Sequence, residues 1–336
     1  MKPPPVDDRA IWDLWLSQYR LPVVLASDEL GVFSALEAAP RSLGELCSAL
    51  GLSERSVLAL TGALAATGFI VKHADRFSLT DVSRTYLLQG SDFYWLPMLR
   101  GAGYGQMTSD VLMQVLRTDN LGSDDRISRR WEQGEMNAQD AHGSNMRMHS
   151  HSLPAAIGLA ANCDFSSVRR LLDVAGGSGC FSIQLALRNP ALRCTVAELP
   201  PVAADTRAYI ERYGCSDRVD TYPFNMFHDA WPTGYDAIFF SNVFHDWDPQ
   251  RRDDLAQRSF DALPAGGRIL LHEMLLHETQ DGPLAAAMFS VMMLGTRGKQ
   301  FSLSELDELL TRAGFVDTSA APSYGYYSLV SARKPG

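Results

Sequence analysis

The chain has 336 residues, which is long for one domain and sufficient for two. An apolar content of 46% and a charged content of 21%, without any apolar run of about 20 residues, are typical of a globular protein and exclude a membrane span. The formal net charge of −9 argues against nucleic acid as the main partner.

Cysteine usage and the first residues bear on the cellular compartment. Five cysteines are scattered through the chain without a Cys-x-x-Cys pair, as expected for reduced and mostly buried thiols. The opening Met-Lys-Pro-Pro-Pro lacks the apolar segment of a secretory signal. We therefore expect a cytoplasmic protein.

Residues 10–90 form a predicted unit of helices with a small hairpin. A helical pattern covers residues 11–36, Ser42 begins a second helix with a capping box, and Ser53 begins a third. Apolar runs around a charged turn predict a hairpin over residues 69–79. Helices followed by a hairpin are typical of a winged helix.

A winged helix raises the question of DNA binding. The helix in the recognition position, residues 53–67, contains one arginine, Arg55, no lysine and several alanines. Phosphate contacts depend on clustered positive charge, so this composition favours a packed interface. A DNA-binding regulator remains the minor alternative.

After residue 90, the sequence first predicts helices and then strands that alternate with helices. Residues 91–160 read as helices rich in Met, Trp and His, which we expect to bridge two domains and to cover the site. Strands that alternate with helices then predict a doubly wound α/β sheet. These predicted strands are residues 171–174, 194–197, 219–222, 236–240 and 268–272, with a final hairpin near 315–332.

A glycine-rich turn between a strand and a helix is the strongest local signal. The run 171–179, Leu-Leu-Asp-Val-Ala-Gly-Gly-Ser-Gly, joins a buried strand to a turn containing Gly176, Gly177 and Gly179. Such a turn brings bare backbone amides up to a ligand at a helix N-terminus. A tight turn without a ligand is the alternative for this motif taken alone.

A carboxylate after the next strand narrows the choice of ligand. Glu198 follows the glycines by about 20 residues, where a carboxylate binds the ribose hydroxyls of an adenosine cofactor. Nicotinamide dinucleotides usually require a third glycine, and Ser182 occupies that position. Asp173 would repel a pyrophosphate but suits the cationic amino-acid end of S-adenosylmethionine (SAM). The predicted cofactor is SAM, with S-adenosylhomocysteine as its product.

Six ordered motifs carry a resemblance to a known family. They are residues 172–179, Glu-Leu-Pro at 198–200, Asn-Met-Phe at 225–227, Asn-Val-Phe-His-Asp-Trp at 242–247, Leu-Pro-Ala-Gly-Gly-Arg at 263–268 and Gly-Lys-Gln at 298–300. With these motifs, residues 20–332 resemble the two-domain, SAM-dependent small-molecule methyltransferases. That group includes plant phenolic and bacterial antibiotic O-methyltransferases of secondary metabolism.

The resemblance implies an architecture and partners. Residues 161–336 would be a class I, Rossmann-like SAM-binding methyltransferase domain with a doubly wound α/β sheet. Residues 1–100 would be an all-helical winged-helix dimerisation domain, and residues 101–160 a helical bridging segment. The expected partners are a second copy of the chain, forming a homodimer, and a small-molecule substrate, with no nucleic acid and no membrane.

His245 is the candidate general base. It follows the strand 236–240, at the same sheet edge as the glycine turn, where open α/β sheets bind ligands. A phenol has a pKa of about 10, so a positioned base assists its methylation. A histidine that caps a helix is the alternative. The resemblance implies that His245 is the base and that Glu273 orients it.

The chain departs from the family pattern at residues expected near the methyl acceptor and near the cofactor. Gln300 stands where the family has a second acid beside the base, and an amide orients without adding negative charge. Asn225 replaces an aspartate that meets the adenine, and its carbonyl oxygen can still accept from the exocyclic amine. Ser241 replaces a family lysine. The implied cofactor-binding set is Asp173, Gly176, Gly177, Gly179, Glu198, Leu199, Asn225, Met226, Phe227 and Ser241.

The acceptor pocket is predicted less specifically. Methionine and aromatic side chains suit a flat aromatic substrate, but their helical spacing equally fits a plain core. The candidates are Met146, Met148, Phe289, Met292 and Met293, together with Trp95, Arg126 and Arg297, which are residues more often found at surfaces or interfaces.

Two enzymatic hypotheses remain besides the DNA-binding regulator. The first is an O-methyltransferase acting on a phenolic or similar metabolite. The second is a C-methyltransferase acting on an α-keto acid through its enol, with Arg297 or Arg126 holding the carboxylate. Some enzymes of that branch bind a metal through a second histidine, and Arg297 stands at that position here, so no metal is expected.

Overall fold

The computed structural model describes residues 4–101, 108–119 and 126–336, without the side chains of residues 126 and 127. The chain divides into two compact units, Met1–Gly105 and Gln106–Gly336. Within the described ranges, no helix has both the length and the apolar character that a membrane crossing requires.

In the residues that the structure describes, the N-terminal unit combines seven helices with a small antiparallel sheet. Its described helices are α1 (Arg9–Ser17), α2 (Arg20–Glu29), α3 (Val32–Glu37), α4 (Leu43–Leu50), α5 (Glu54–Ala66), α6 (Asp81–Tyr86) and α7 (Leu96–Gly101). Its strands are β1 (Arg41–Ser42), β2 (Ile70–His73) and β3 (Arg76–Leu79), in the order β1-β3-β2. The expectation of an all-helical domain is therefore wrong.

Local sequence signals account for the helix boundaries in this unit. Ser42 and Glu45 form the predicted capping box, and Gly51 ends α4 in the left-handed conformation. Ser53 caps α5 by accepting from the Ser56 amide. These caps satisfy backbone groups that would otherwise lack partners at the helix ends.

The N-terminal unit has a buried core and one helix outside it. Large side chains from α3, α4 and α5, among them Phe33, Leu46 and Leu64, are fully buried. By contrast, α1 buries none of its residues in the monomer. Its apolar side chains, including Trp12 and Trp15, are exposed.

The C-terminal unit has a seven-stranded sheet with helices packed against it. Its helices are α8 (Ser109–Thr118), α9 (Arg126–Gln133), α10 (Ala138–Asn162), α11 (Cys180–Arg188), α12 (Pro200–Arg212), α13 (Pro249–Ala262), α14 (Leu284–Met293) and α15 (Leu303–Arg312). Its strands are β4 (Arg170–Val174), β5 (Arg193–Glu198), β6 (Val219–Pro223), β7 (Ala237–Ser241), β8 (Arg268–Met274), β9 (Val316–Tyr324) and β10 (Tyr327–Arg333).

The strand order fixes where a ligand can bind. The order is β6-β5-β4-β7-β8-β10-β9. Neighbouring strands from β6 to β8 in this order are parallel. The β9–β10 hairpin is antiparallel, and β10 pairs antiparallel with β8. Every predicted strand is present, and the doubly wound α/β prediction is confirmed. The order of strands reverses at β4, and such a switch point opens a crevice at the carboxyl ends of the strands.

Candidate active site

The glycine loop follows β4 in a conformation that requires glycine. Gly177 and Gly179 have φ angles of +56° and +73°, in the left-handed region that disfavours other side chains. Gly176 has a different constraint, since a Cβ there would lie 2.6 Å from the Asp173 carboxyl carbon. The predicted loop therefore joins β4 to α11, and three of its residues carry no side chain of their own.

Glu198 lies at the end of β5 and is held by backbone donors. Its Oε1 accepts from the Gly177 amide at 3.0 Å and its Oε2 accepts from the Leu199 amide at 2.8 Å. Burial raises the pKa of Glu198 to about 7, although these two hydrogen bonds favour the ionised form. The structure brings Glu198 against the loop, as the sequence predicts.

Asp173 is fully buried beneath the glycine loop. Ser182 donates to Asp173 Oδ2 at 2.7 Å, which explains a serine where a dinucleotide-binding loop would have its third glycine. Burial raises the pKa of Asp173 to about 7, and the nearby Glu198 charge acts in the same direction. No lysine or arginine in the described ranges forms an ion pair with either carboxylate, so the site suits a cationic ligand.

The Asn-Met-Phe motif, which is expected near the adenine, already forms hydrogen bonds within the chain. Asn225 Nδ2 donates to the Glu132 carbonyl at 2.9 Å, and Asn225 Oδ1 accepts from the Phe227 amide at 2.9 Å. The oxygen expected to accept from the adenine amine therefore already has one intramolecular donor. Met226 is half-buried against the core and Phe227 is buried, with its ring 4.6 Å from that of Trp247.

Ser241, at the end of β7, faces the next strand. Its hydroxyl lies 3.0 Å from His272 Nδ1, and His272 Nε2 lies 2.8 Å from Ser323 Oγ. Burial lowers the pKa of His272 to about 3, so this imidazole is neutral and links three strands. The Ser241 hydroxyl is thus used between strands, which differs from the cofactor contact expected at this position.

His245 lies in a 3₁₀ turn, Phe244–Asp246, directly after β7. Its Nδ1 is 2.7 Å from Glu273 Oε2 at the end of β8, and both side chains are buried. Gln300 Nε2 lies 3.2 Å from the same nitrogen. The structure therefore brings the three predicted catalytic residues together.

Charges around His245 set its protonation. Burial alone would disfavour the imidazolium, but the combined attraction of Glu273 and Asp246 outweighs it, so the pKa of His245 is raised. Burial raises the pKa of Asp246 to about 6, despite the opposing influence of His245. Gln300 adds no charge, and its Oε1 is buried without a hydrogen-bond partner.

The Gly-Lys-Gln segment owes its glycine to a backbone contact. A Cβ on Gly298 would lie 1.6 Å from the His245 carbonyl oxygen. The Arg297 amide donates to the Asp246 carbonyl at 3.4 Å. This segment therefore supports the turn that carries His245 and leads directly to Gln300.

The predicted acceptor residues are distributed unevenly. Phe289 on α14 meets the His245 ring edge to face at 5.1 Å. Met293 is buried and Met148 half-buried, whereas Met146 and Met292 are exposed in the monomer.

The remaining predicted acceptor residues are Arg297, Trp95 and Arg126. Arg297 is exposed and lies 3.8 Å from Asp248, so it already faces a carboxylate. Trp95 is half-buried in the N-terminal unit. The Arg126 side chain lies outside the described residues. In the part of the chain that the structure describes, no group of three His, Cys, Asp or Glu residues could hold a metal ion.

Sequence reasoning missed two histidines on α10. Burial lowers the pKa of His151 to about 4, and the charge of His245 contributes to the same shift, so the two imidazoles are electrostatically coupled. His149 contacts the glycine loop through Ser178. The only sequence signal was the His-Ser-His run at 149–151, which helical periodicity alone does not separate from a core.

Comparisons with known proteins give the family. A family model described as the O-methyltransferase domain matches residues 127–316. A 3-hydroxy-5-methyl-1-naphthoate 3-O-methyltransferase of Streptomyces sahachiroi is 31% identical over 312 residues, covering 90% of this chain and 88% of that protein. An L-tyrosine C(3)-methyltransferase of Streptomyces lavendulae is 31% identical over 303 residues, covering 86% and 82%.

A solved structure has the same fold. Human N-acetylserotonin methyltransferase in complex with SAM superposes with a TM-score of 0.83 at 21% identity, over 100% of both chains. These relatives are enzymes and give no support to a DNA-binding regulator. The chain belongs to the O-methyltransferase family and is a SAM-dependent methyltransferase with the class I fold.

Proposed function

We propose that this enzyme methylates a hydroxyl of a small phenolic secondary metabolite, with His245 as the general base. The observation that carries the proposal is the buried 2.7 Å contact between His245 Nδ1 and Glu273. A carboxylate that accepts from Nδ1 selects the tautomer in which Nε2 has a free lone pair. Nε2 can then remove the proton of an acceptor hydroxyl.

The protonation state of His245 fits this role. The raised pKa makes the imidazole a stronger base than a free histidine, because Glu273 and Asp246 stabilise its charged form. Because Gln300 is neutral, the charges that stabilise the imidazolium are those of Glu273 and Asp246 alone. Asp246 Oδ1, 3.8 Å from Nε2, would stabilise the imidazolium once the proton has been transferred.

The cofactor side supplies a site for a cationic adenosine ligand. The charge of Asp173, beneath the loop, would attract the cationic amino-acid end. The backbone of Gly176–Gly179 would lie along the ligand, and Glu198 would accept from ribose hydroxyls. Leu199 and the residues Asn225–Phe227 would face the adenine. When bound, SAM supplies an activated methyl group together with its leaving group.

The acceptor class follows from the side chains near the base. Phe289 packs edge to face on the ring of His245. We expect Met293, one turn further along α14, and Met148 to add polarisable surface, and such surface suits a flat ring with one hydroxyl. The naphthoate methyltransferase, a relative along 90% of this chain, acts on an aromatic hydroxyl by its name. We extend that substrate class, an aromatic hydroxyl, to this enzyme.

The pH dependence of turnover tests the role of His245. Glu273→Gln keeps the hydrogen-bonding shape but removes the charge that favours the imidazolium, so the pKa of His245 should fall. The acidic limb of the kcat/KM profile on a panel of phenols should therefore move to lower pH, with reduced activity on the plateau. A profile identical to that of the unaltered enzyme would contradict the role.

A second candidate, methylation of carbon, is favoured by one comparison. The L-tyrosine relative methylates C(3) of a phenol ring according to its name, and covers 86% of this chain. A phenolate carries negative charge on oxygen and on the ortho carbon, so the same base serves either outcome. Carbon NMR of the product separates them, since a methoxy carbon and an aryl methyl carbon resonate in different ranges. An α-keto acid acceptor has less support, because Arg297 is exposed beside Asp248.

We infer that the N-terminal unit is a winged-helix domain that forms a homodimer. Its helices α4 and α5 precede the β2–β3 hairpin, and α5 contains only one basic residue, Arg55. The exposed apolar side chains of α1 offer surface for a second copy. Light scattering at micromolar concentration should give the mass of a dimer, and a monomer would contradict the proposal.

The thiols support a reducing compartment. All five cysteines, which are Cys47, Cys163, Cys180, Cys194 and Cys215, are free. Burial raises the pKa of Cys180 to about 12, so this thiol resists oxidation. We place the enzyme in the cytoplasm, and fractionation of producing cells would test this.

A further inference from the structure

One face of α10 carries polar side chains that reach the cofactor segment. His142, Asn145 and His149 are spaced so that they lie on one side of the helix. His142 Nδ1 and Asn145 Nδ2 each lie 2.9 Å from a carboxylate oxygen of Asp205 on α12. Within this set, His149 is the residue whose hydrogen bond reaches the glycine loop.

His149 is fixed from two sides. Its Nδ1 lies 2.9 Å from Ser178 Oγ, and its Nε2 lies 3.2 Å from the Tyr213 hydroxyl. The Tyr209 ring lies against the imidazole, with centroids 4.6 Å apart. Burial, assisted by the charge of Arg212, lowers the pKa of His149 to about 4. The imidazole is therefore neutral at neutral pH, with one nitrogen donating and the other accepting.

Ser178 lies in the part of the glycine loop where a hydrogen bond to another element restricts the backbone most. It lies between Gly177 and Gly179, both in left-handed conformations. Glycines permit many backbone conformations, so a loop containing three of them loses considerable entropy when it is ordered. The Ser178 side chain is buried, and its bond to α10 restricts the alternatives open to the loop before a ligand arrives.

We propose that His149 is a positioning residue for the cofactor, holding the glycine loop through Ser178 in the conformation that binds SAM. This inference rests on the proposed function, in which the loop lies along the cofactor. The same helix carries His151, which is electrostatically coupled to His245. A single helix therefore carries one side chain bonded to the cofactor loop and another whose pKa is lowered by the charge of His245.

Two substitutions at one position separate the two hydrogen bonds. In His149→Asn, the side-chain amide overlaps the Nδ1 position and can still bond to Ser178, whereas in His149→Gln it reaches the Nε2 position and bonds to Tyr213. Loss of one neutral hydrogen bond is expected to weaken affinity by about 3–10-fold. His149→Gln and His149→Ala should therefore bind S-adenosylhomocysteine about 3–10-fold more weakly, while His149→Asn stays within about 2-fold of the unaltered enzyme.

Controls distinguish positioning from general stability. His142→Ala removes a histidine from the same helix face without touching the loop, and its affinity should be unchanged. Ser178→Ala should reproduce the loss seen in His149→Ala, and the double variant should lose no more than either single variant. Calorimetry gives each affinity, thermal unfolding gives each Tm, and KM for SAM should rise while kcat at saturating SAM changes little.

Each outcome decides between the proposals. If the unaltered enzyme fails to bind S-adenosylhomocysteine, the proposed function itself is wrong. If it binds and His149→Asn is as weak as His149→Gln, or affinity follows Tm across all variants including His142→Ala, only the role of His149 is overturned. Should His149→Ala fail to fold, Ser178→Ala and the Asn–Gln pair still carry the test.

Discussion

Two pairs of acids, each with one buried and one partly exposed member, lie at the same edge of the sheet and differ in what balances their charge. On one side, Glu273 and Asp246 share the imidazole of His245. On the other side, Asp173 and Glu198 have hydrogen-bond donors but no ion pair with a described lysine or arginine. The base side is electrostatically complete within the chain, whereas the cofactor side depends on a ligand to supply positive charge.

The largest expected effect comes from removing His245, the imidazole that balances the charges on the base side. His245→Ala removes the group that accepts the acceptor's proton, so turnover should fall by about 10²–10⁴-fold, the usual contribution of a positioned base. Affinity for SAM should stay nearly unchanged, because none of the described cofactor-side contacts involves His245. Steady-state kinetics and calorimetry measure the two quantities separately.

The surface residue His73 provides a control for this change. It lies on β2, is exposed and forms no part of the site, so His73→Ala should retain normal turnover. Unaltered turnover in His245→Ala would remove the base from the mechanism.

The next effect tests how the base is supported. In Gly298→Ala the new Cβ would meet the His245 carbonyl oxygen, so either the turn or the Gly-Lys-Gln segment must move. A displacement of about 1 Å at a catalytic group costs about 10²-fold in turnover, and overpacking costs about 1–3 kcal/mol of unfolding free energy. Gly62→Ala, in α5 with open space around the Cα, should cost neither. Activity of Gly298→Ala equal to that of Gly62→Ala would contradict this account.

Sequence patterns predicted the parts of the site that depend on local rules. The glycine loop and His245 each follow a strand, and Glu198 and Glu273 lie at the ends of theirs. Parallel strands end at one edge of the sheet, so the proximity of these residues follows from topology. The three-stranded sheet of the N-terminal unit was missed because β1 has only two residues, too short for an alternating pattern.

Long-range contacts were beyond sequence reasoning. The close approach of Gly298 to His245 joins segments more than 50 residues apart, and no local signal marks it. Asn225 Oδ1 is expected to accept from the adenine amine, and no sequence signal indicated that the Phe227 amide also donates to it within the same turn. The roles of His149 and His151 depend on how α10 packs, whereas their spacing equally fits a core helix.

Removing Glu198 tests its contribution to SAM binding on the cofactor side. Glu198→Ala deletes the acceptor expected for ribose hydroxyls and leaves the Gly177 and Leu199 amides without their partner. Loss of such charge-assisted hydrogen bonds should weaken SAM binding by about 1.5–3 kcal/mol, with kcat at saturating SAM much less affected. Glu211→Ala, an exposed acid on α12, is the matched control. Equal affinities of the two variants in calorimetry would exclude Glu198 from the cofactor site.

The last effect concerns the uncompensated acids and pH. In the free enzyme the pKa values of Asp173 and Glu198 are raised to about 7, so both are largely protonated below that pH. A bound cation and ribose hydroxyl donors favour the ionised carboxylates and lower these pKa values, so binding releases protons. Affinity for SAM should therefore fall as pH decreases below about 7, by at most tenfold per pH unit for each proton released, and level off above it.

Calorimetry in buffers with different ionisation enthalpies counts the released protons directly. Glu198→Gln removes one titrating group, so its affinity should be lower but its pH dependence shallower than that of the unaltered enzyme. His245→Ala leaves both cofactor-side acids in place, so it should keep the full pH dependence of SAM binding while losing turnover. An affinity that stays constant between about pH 5.5 and 8 would mean that the two acids are already ionised in the free enzyme, and that the cofactor side does not rely on the ligand's charge.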